Sequence, residues 1–249
     1  MNPPTPEDRL AACRPQANDT LVMYQEWHDL LFLHWEMEPS LLTETLPSGL
    51  HLDTFEGRAF LGIVPFYMKN VRPRFLPPVG PISNFLEMNL RTYVYDDRGR
   101  PGVWFYSLDA NQKLAVGLAR RLYHLPYQHS CMTAKKDPQG WVDYRTHREW
   151  TQVRSRFLYR GSGTPTTGAP GTLEFFLAER YLLFTEIKGQ IWSGQVFHTP
   201  YPLQTAEVEI WDDNLLLLNG FRSTDRKPDL AHFSAGVKVD VYPIRLSVR

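Results

Sequence analysis

The stretch Ser83–Tyr95, SNFLEMNLRTYVY, decides how the rest of the chain is read. On an extended strand successive side chains point to opposite faces, which sorts it into two rows. Met88, Leu90, Thr92 and Val94 form one row, ordinary core material. The other is Ser83, Phe85, Glu87, Asn89, Arg91, Tyr93 and Tyr95. An acid, an amide and a guanidinium set among aromatics fit neither open water nor a dry core. They fit the wall of a partly covered cavity.

Downstream of this strand, the DDRGRPG turn and Val103–Leu108 (VWFYSL) complete a hairpin. Asp109, with Gln112 three residues on, is placed to cap a helix over 110–124. Leu114, Leu118 and Leu122 at i, i+4 and i+8, flanked by Ala115, Ala119 and Tyr123, predict one apolar stripe docked on the sheet, and Pro126 closes the helix. Upstream, Lys69–Gly80 (KNVRPRFLPPVG) reads as a solvated loop or, with Lys69, Arg72 and Arg74, as a cationic rim. Leu50–Phe55 and Arg58–Met68 around Glu56-Gly57 predict a second hairpin. Trp27–Trp35 (WHDLLFLHW) and Arg58–Met68 are apolar on both parities, as strands covered on both sides would be.

Farther along, 127–160 has a strand pattern, and Gly161–Gly171 (GSGTPTTGAPG) reads as a flexible loop that matches no phosphate-binding fingerprint. A short helix over 172–178 precedes strands near 181–187, 190–198 and 204–211. A helical turn over 212–218 and closing strands near 230–234 and 236–246 complete the chain. With only one long helix, a doubly wound sheet is excluded, because it needs a helix after nearly every strand. A mainly β (α+β) fold follows, a closed β-barrel with an internal cavity and a few short helices packed on it.

The 249 residues suffice for one such domain over 21–249, preceded by a loosely ordered arm, 1–20, that carries Pro3, Pro4, Pro6 and Pro15. Lys+Arg 27 against Asp+Glu 27 leaves no net charge, and hence no electrostatic reason to expect nucleic acid or an anionic membrane as partner. Cys13 and Cys131 are expected to be reduced thiols. The N-terminus lacks the apolar segment of a signal peptide, and no apolar run approaches the roughly 20 residues of a membrane span. A soluble, cytoplasmic protein is the expectation.

The blocks WHDLLFLHWEMEPSLLTETLPSGLHLDTFEGRAFLGIVPF, FLEMNLRTYV, PGVWFYSLDA, ARRLYHLPY, LEFFLAERY and HTPYPLQTA resemble the YqjF-like family of uncharacterised conserved proteins. The resemblance runs from about Trp27 to Tyr242. That family is in turn similar in fold to acetoacetate decarboxylase, which implies a β-barrel with a cavity. The decarboxylases form a Schiff base through a lysine in a Phe-Pro-Lys-Lys motif after a helix. Here the corresponding place reads Leu125-Pro126-Tyr127-Gln128, and neither residue type can form an iminium. Lys135 and Lys136, several residues on, are expected at the surface. Glu87, in its Phe85-Leu86-Glu87 context, looks like the decarboxylases' active-site glutamate.

Arg91 beside Asn89 offers a fork for a carboxylate. Glu87, desolvated among aromatics, would trade protons near neutrality as the candidate catalytic acid or base. Phe85, Asn89, Arg91, Tyr93, Tyr127 and His129 are the candidate ligand-binding residues; the competing reading is a buried polar layer satisfied by neighbouring strands. His28 and His34 lie about 20 Å apart on a strand, too far for one metal, and no other cluster has zinc-like spacing. No metal or cofactor is implied. The preferred function is binding of a small organic acid or similar metabolite, without Schiff-base chemistry. Two alternatives stand beside it: an enzyme using Glu87 on a keto or enol acid, and a non-catalytic interaction protein. Ligand identity and oligomeric state, a homo-oligomer included, are not legible.

Overall fold

The computed structural model describes residues 3–14 and 20–247. It is mainly β, one large sheet with few helices. The elements begin with α1 (Pro6–Ala12), β1 (Met23–Met37), α2 (Pro39–Thr43), β2 (Leu50–Leu52), β3 (Ala59–Pro73) and α3 (Gly80–Ser83). They continue with β4 (Phe85–Asp96), β5 (Pro101–Ala110), α4 (Lys113–Leu122), β6 (Tyr127–Lys136), β7 (Val142–Arg148), β8 (Arg154–Thr166) and α5 (Leu173–Ala178). Strands β9 (Leu182–Ile187), β10 (Gln190–His198) and β11 (Leu203–Ile210), helix α6 (Asn214–Leu217), β12 (Leu230–Val241) and β13 (Arg245–Leu246) follow. Among the described residues the strand order is β13-β10-β9-β5-β6-β7-β8-β11-β12-β1-β3-β4-β2, with further pairings β4–β5 and β10–β12 that bring distant members of that order back together. No helix among them is long and apolar enough to cross a membrane.

The two-faced strands owe their composition to two cores. Leu31, Leu33 and Trp35 of β1 and Leu61 and Ile63 of β3 pack with Tyr144, Phe157 and Tyr159. Leu30, Phe32, Val64 and Phe66, on the opposite parity, pack with Val196, Tyr201 and Val239. β4 joins the same wall, with Met88 and Leu90 in the first core. Each such side chain contributes roughly 1.5–3 kcal/mol on burial, which is why polar residues are tolerated on this wall only where something else satisfies them.

Several sequence expectations are corrected. The Glu56-Gly57 turn forms a Phe55–Arg58 bridge, but β2 pairs with β4 instead of continuing a hairpin with β3. The buried Asp53 carboxylate, held by Arg9 and Arg180, and the Asp53 N–H, donated to Tyr93 O, draw the chain away to β4. The stretch from Lys69 to Pro73 is the end of β3, not loop. Half of the expected glycine-rich loop is also strand: β8 continues through Thr166 and pairs with β11, and a Cβ on Gly161 would stand 2.3 Å from Phe233 Cδ1. The two closing strands are one, β12, kinked at Gly236 (φ +139), where a Cβ would stand 2.2 Å from the Trp27 carbonyl oxygen. Only glycine fits that approach.

The helix over 110–124 is shorter, Lys113–Leu122, and Gln112 caps it by accepting from Leu114 N. Asp109 ends β5 instead, bound by both Nε and Nη2 of Arg148 at 2.9 Å and by Ser130 Oγ at 2.8 Å. Its stripe is only partly turned inward: Leu114 and Leu122 are 65% and 52% exposed, whereas Leu118, 51% exposed, borders a pocket. Val116 is buried, and Ala115 and Ala119, partly exposed, border the same pocket. Within the arm expected to be loosely held, α1 has a Thr5–Asp8 capping box, and its Arg9 reaches Asp53. Residues 1–2 and 15–19, Pro15 among them, lie outside the described residues. Cys13 and Cys131 are both free thiols.

Candidate functional site

A pocket of about 170 Å³ lies against the second face of β4. Ser83 belongs to α3, where its hydroxyl accepts from Val79 N, so the polar-aromatic row begins at Phe85. Phe85, Glu87, Asn89 and Arg91 all line the pocket, the alternation of a strand delivering them to one side. The antiparallel partner β3 sets Phe66 opposite Glu87 and Val64 opposite Asn89. Small residues of α4 and Tyr127 at the start of β6 complete that side.

Glu87 is 3% exposed. Tyr127 Oη donates to its Oε2 at 2.8 Å, while Tyr144 Oη donates to its backbone carbonyl at 2.9 Å. Burial raises the Glu87 carboxyl to about 7, with the nearby Asp109 charge adding to the rise and the Tyr127 hydrogen bond opposing it. Burial, and then the Glu87 charge, push the Tyr127 hydroxyl well above its ordinary range, so Tyr127 remains a donor. Glu87 therefore holds or releases a proton around neutrality, the condition for general acid–base work.

The inner end of the pocket is cationic. Arg91, buried, donates from Nη2 to Leu177 O at 3.2 Å and lies 5.4 Å from the centre of the Phe32 ring. Arg180, also a lining residue, donates from Nε to Phe176 O at 2.7 Å and from Nη1 to Asp53 Oδ2 at 2.8 Å. Burial lowers the Arg180 guanidinium from its ordinary value, against the pull of Asp53. The single carboxylate of Asp53 also serves Arg9. Arg91 has no carboxylate partner among the described residues. Arg91 Nε, Arg180 Nη2 and Asn89 Oδ1 are buried without any hydrogen-bond partner. Unsatisfied buried groups of this kind cost about 1–3 kcal/mol each.

The remaining sequence candidates lie elsewhere. Tyr93 is not a lining residue: its hydroxyl donates to Leu177 O at 2.9 Å and meets His34 Nε2 at 2.7 Å, which positions the C-terminal turn of α5 that Arg91 also grips. His129 is not a lining residue either, and lies 3.2 Å from the Glu149 carboxylate. Lys135 and Lys136 are exposed, and Lys136 binds Asp29 at 2.6 Å. Among the described residues, no lysine lines the pocket and no group of His, Cys, Asp and Glu has metal-binding geometry.

Arg180 is not among the sequence candidates. It does tie α5 to the body, through Phe176 and Asp53, and it faces the pocket as well. The signal was a cation two residues after LEFFLA, a helix whose last four residues are all buried.

A model of the family DUF2071, described as an uncharacterised conserved protein, matches residues 24–238. The uncharacterised protein YqjF of Bacillus subtilis is 36% identical over 225 residues, 90% of this chain and 92% of that protein. Among solved structures, acetoacetate decarboxylase from Legionella pneumophila superposes with a TM-score of 0.63 at 13% identity, over 94% of this chain and 91% of its own. The enduracididine biosynthesis enzyme MppR, complexed with pyruvate, gives 0.58 at 11% identity, over 93% and 92%. At these identities the structural likeness is one of fold.

Proposed function

The chain belongs to DUF2071, a family of uncharacterised conserved proteins, and on that premise we propose that it binds a small carboxylate-bearing organic molecule without Schiff-base decarboxylase chemistry. The reading treats 21–249 as one closed barrel whose internal cavity is the pocket on β4, with 1–20 as an arm. Arg91 and Asn89 orient the ligand, joined by Arg180; Glu87, Phe85 and Tyr127 line the site beside it. The observation that carries this is the pair of buried guanidiniums with unpartnered N–H groups at one end of a pocket that lacks lysine. An Arg fork matches a carboxylate in charge and geometry. That a fold neighbour was captured with pyruvate, itself a carboxylate, is in keeping with this choice. Where the resemblance sets the decarboxylase lysine, Tyr127 instead donates to Glu87.

A panel of organic acids, screened by calorimetry and by thermal shift, tests the reading. Binding that Arg91→Gln weakens at least tenfold supports it; failure of every acid to bind sinks it. Borohydride with acetoacetate should leave no covalent adduct by mass spectrometry. An adduct on Lys135 or Lys136 would overturn the exclusion of Schiff-base chemistry.

A second reading has its own support. Glu87, titrating at about 7 in hydrogen-bond contact with Tyr127, is suited to move a proton on a bound keto or enol acid. Turnover of any panel member that disappears in Glu87→Gln, with binding retained, would favour an enzyme over a binding protein.

A further inference from the structure

The pocket is polarised along its length. On β4 the row runs from Arg91 and Asn89, both buried, through Glu87 to Phe85, which is partly exposed. Met68 of β3 pairs with Phe85, and Trp27 of β1 pairs with Met68. Ala119 of α4 and Tyr123, which caps that helix, also line the pocket and are partly exposed. The cationic groups and the unpartnered polar atoms are thus at the buried end, and apolar side chains line the way out.

Size gives a second constraint. An apolar cavity of about 150 Å³ takes a benzene molecule, and this pocket measures about 170 Å³. Arg91 and Phe85 are six residues apart on one strand, about 20 Å of backbone. A two-carbon acid seated on the guanidiniums would leave the apolar end unfilled, with lining atoms short of contacts. Glu87 stands between the two ends. Retaining its proton up to about pH 7, it neither repels an incoming carboxylate nor burdens an apolar group beside it with an unpaired charge.

Resting on the carboxylate reading above, we infer that the ligand is an amphipathic monocarboxylate. Its carboxylate sits at the buried end on Arg91 and Arg180, and an apolar tail, the whole molecule being roughly six to eight heavy atoms, extends past Glu87 toward Phe85, Met68 and the Ala119 face of α4.

Calorimetric titration at pH 6 with acetate, butyrate, hexanoate and octanoate, and with 1-hexanol as a headless control, tests this. Affinity should rise about fourfold per added methylene, so that hexanoate binds about sixteenfold tighter than butyrate, with little gain beyond it. Ala119→Leu, on a partly exposed helix face, fills the apolar end and should cut the hexanoate-to-butyrate affinity ratio at least fivefold. Phe85→Ala, at a different wall, should also lower that ratio; circular dichroism confirms that each variant is folded. Equal affinities for butyrate and hexanoate would overturn the inference and leave the carboxylate reading standing. So would a ratio unmoved by both variants. No binding of any acid, or hexanol binding as well as hexanoate, would overturn the carboxylate reading itself and the inference with it.

Discussion

Replacing Glu87 by Gln removes the titration and little else, since the amide oxygen can still accept from Tyr127. In the folded protein the carboxyl titrates at about 7 against an ordinary value of 4.5, with burial as the main cause. A folded-state value above the unfolded one means that the native state holds the proton more tightly. The stability this contributes is fully present below pH 4.5 and is lost as the pH rises to about 7. At about 1.4 kcal/mol per pH unit the whole effect is roughly 3 kcal/mol, of which some 2–3 kcal/mol falls between pH 5 and 8. Because Glu87 is 3% exposed, solvent screening removes little of it. Urea unfolding of wild type and Glu87→Gln at pH 5, 6, 7 and 8 reads the difference directly, and contributions from other groups cancel. The variant should gain on wild type by that amount across the series, with most of the gain before pH 7. Parallel curves for the two proteins would refute the argument that burial raises this carboxyl.

The other predictions concern separate features. Asp53→Ala leaves the Arg180 guanidinium buried without its carboxylate and releases Arg9, so unfolding free energy should drop by about 3–5 kcal/mol; a drop below 1 kcal/mol would show that Asp53 does not hold this corner together. Gly236→Ala drives a Cβ against the Trp27 carbonyl at a positive φ, and should cost upwards of about 2 kcal/mol in chemical denaturation. Leu114→Gln, on the outward stripe of α4, should change stability by no more than about 0.5 kcal/mol, and a larger loss would mean that the leucine face is packed after all. At pH 8 a thiol reagent should modify the exposed Cys131 well before Cys13, whose thiol is pushed up to about 12 by burial and the Glu179 charge; peptide mapping of the first labelled site decides.

Period-two patterning carried much of the architecture. The apolar run Trp27–Trp35 and the stretch Ala59–Met68 each demanded cover on both faces, and β1 and β3 do separate two cores. The same alternation placed Glu87, Asn89 and Arg91 on one wall, because the parity of a strand is local geometry and needs no knowledge of neighbours. The single long helix pattern likewise excluded a doubly wound α/β sheet. Tertiary structure decided what alternation cannot encode. Which residues of the α4 stripe turn inward depends on how the helix is rotated against the sheet: Ala115, Leu118 and Ala119 line the pocket, whereas Leu114 and Leu122 stay exposed. Whether Asp109 caps that helix or binds Arg148 depends on a partner 39 residues away. Tyr93 shares the parity of Arg91 yet is turned into contacts with His34 and Leu177, and Arg180 enters the pocket from a segment with no strand pattern of its own. Local sequence selects the face on which a side chain stands; which cavity that face meets, and which distant charge meets it there, is decided by the long-range pairings of the sheet.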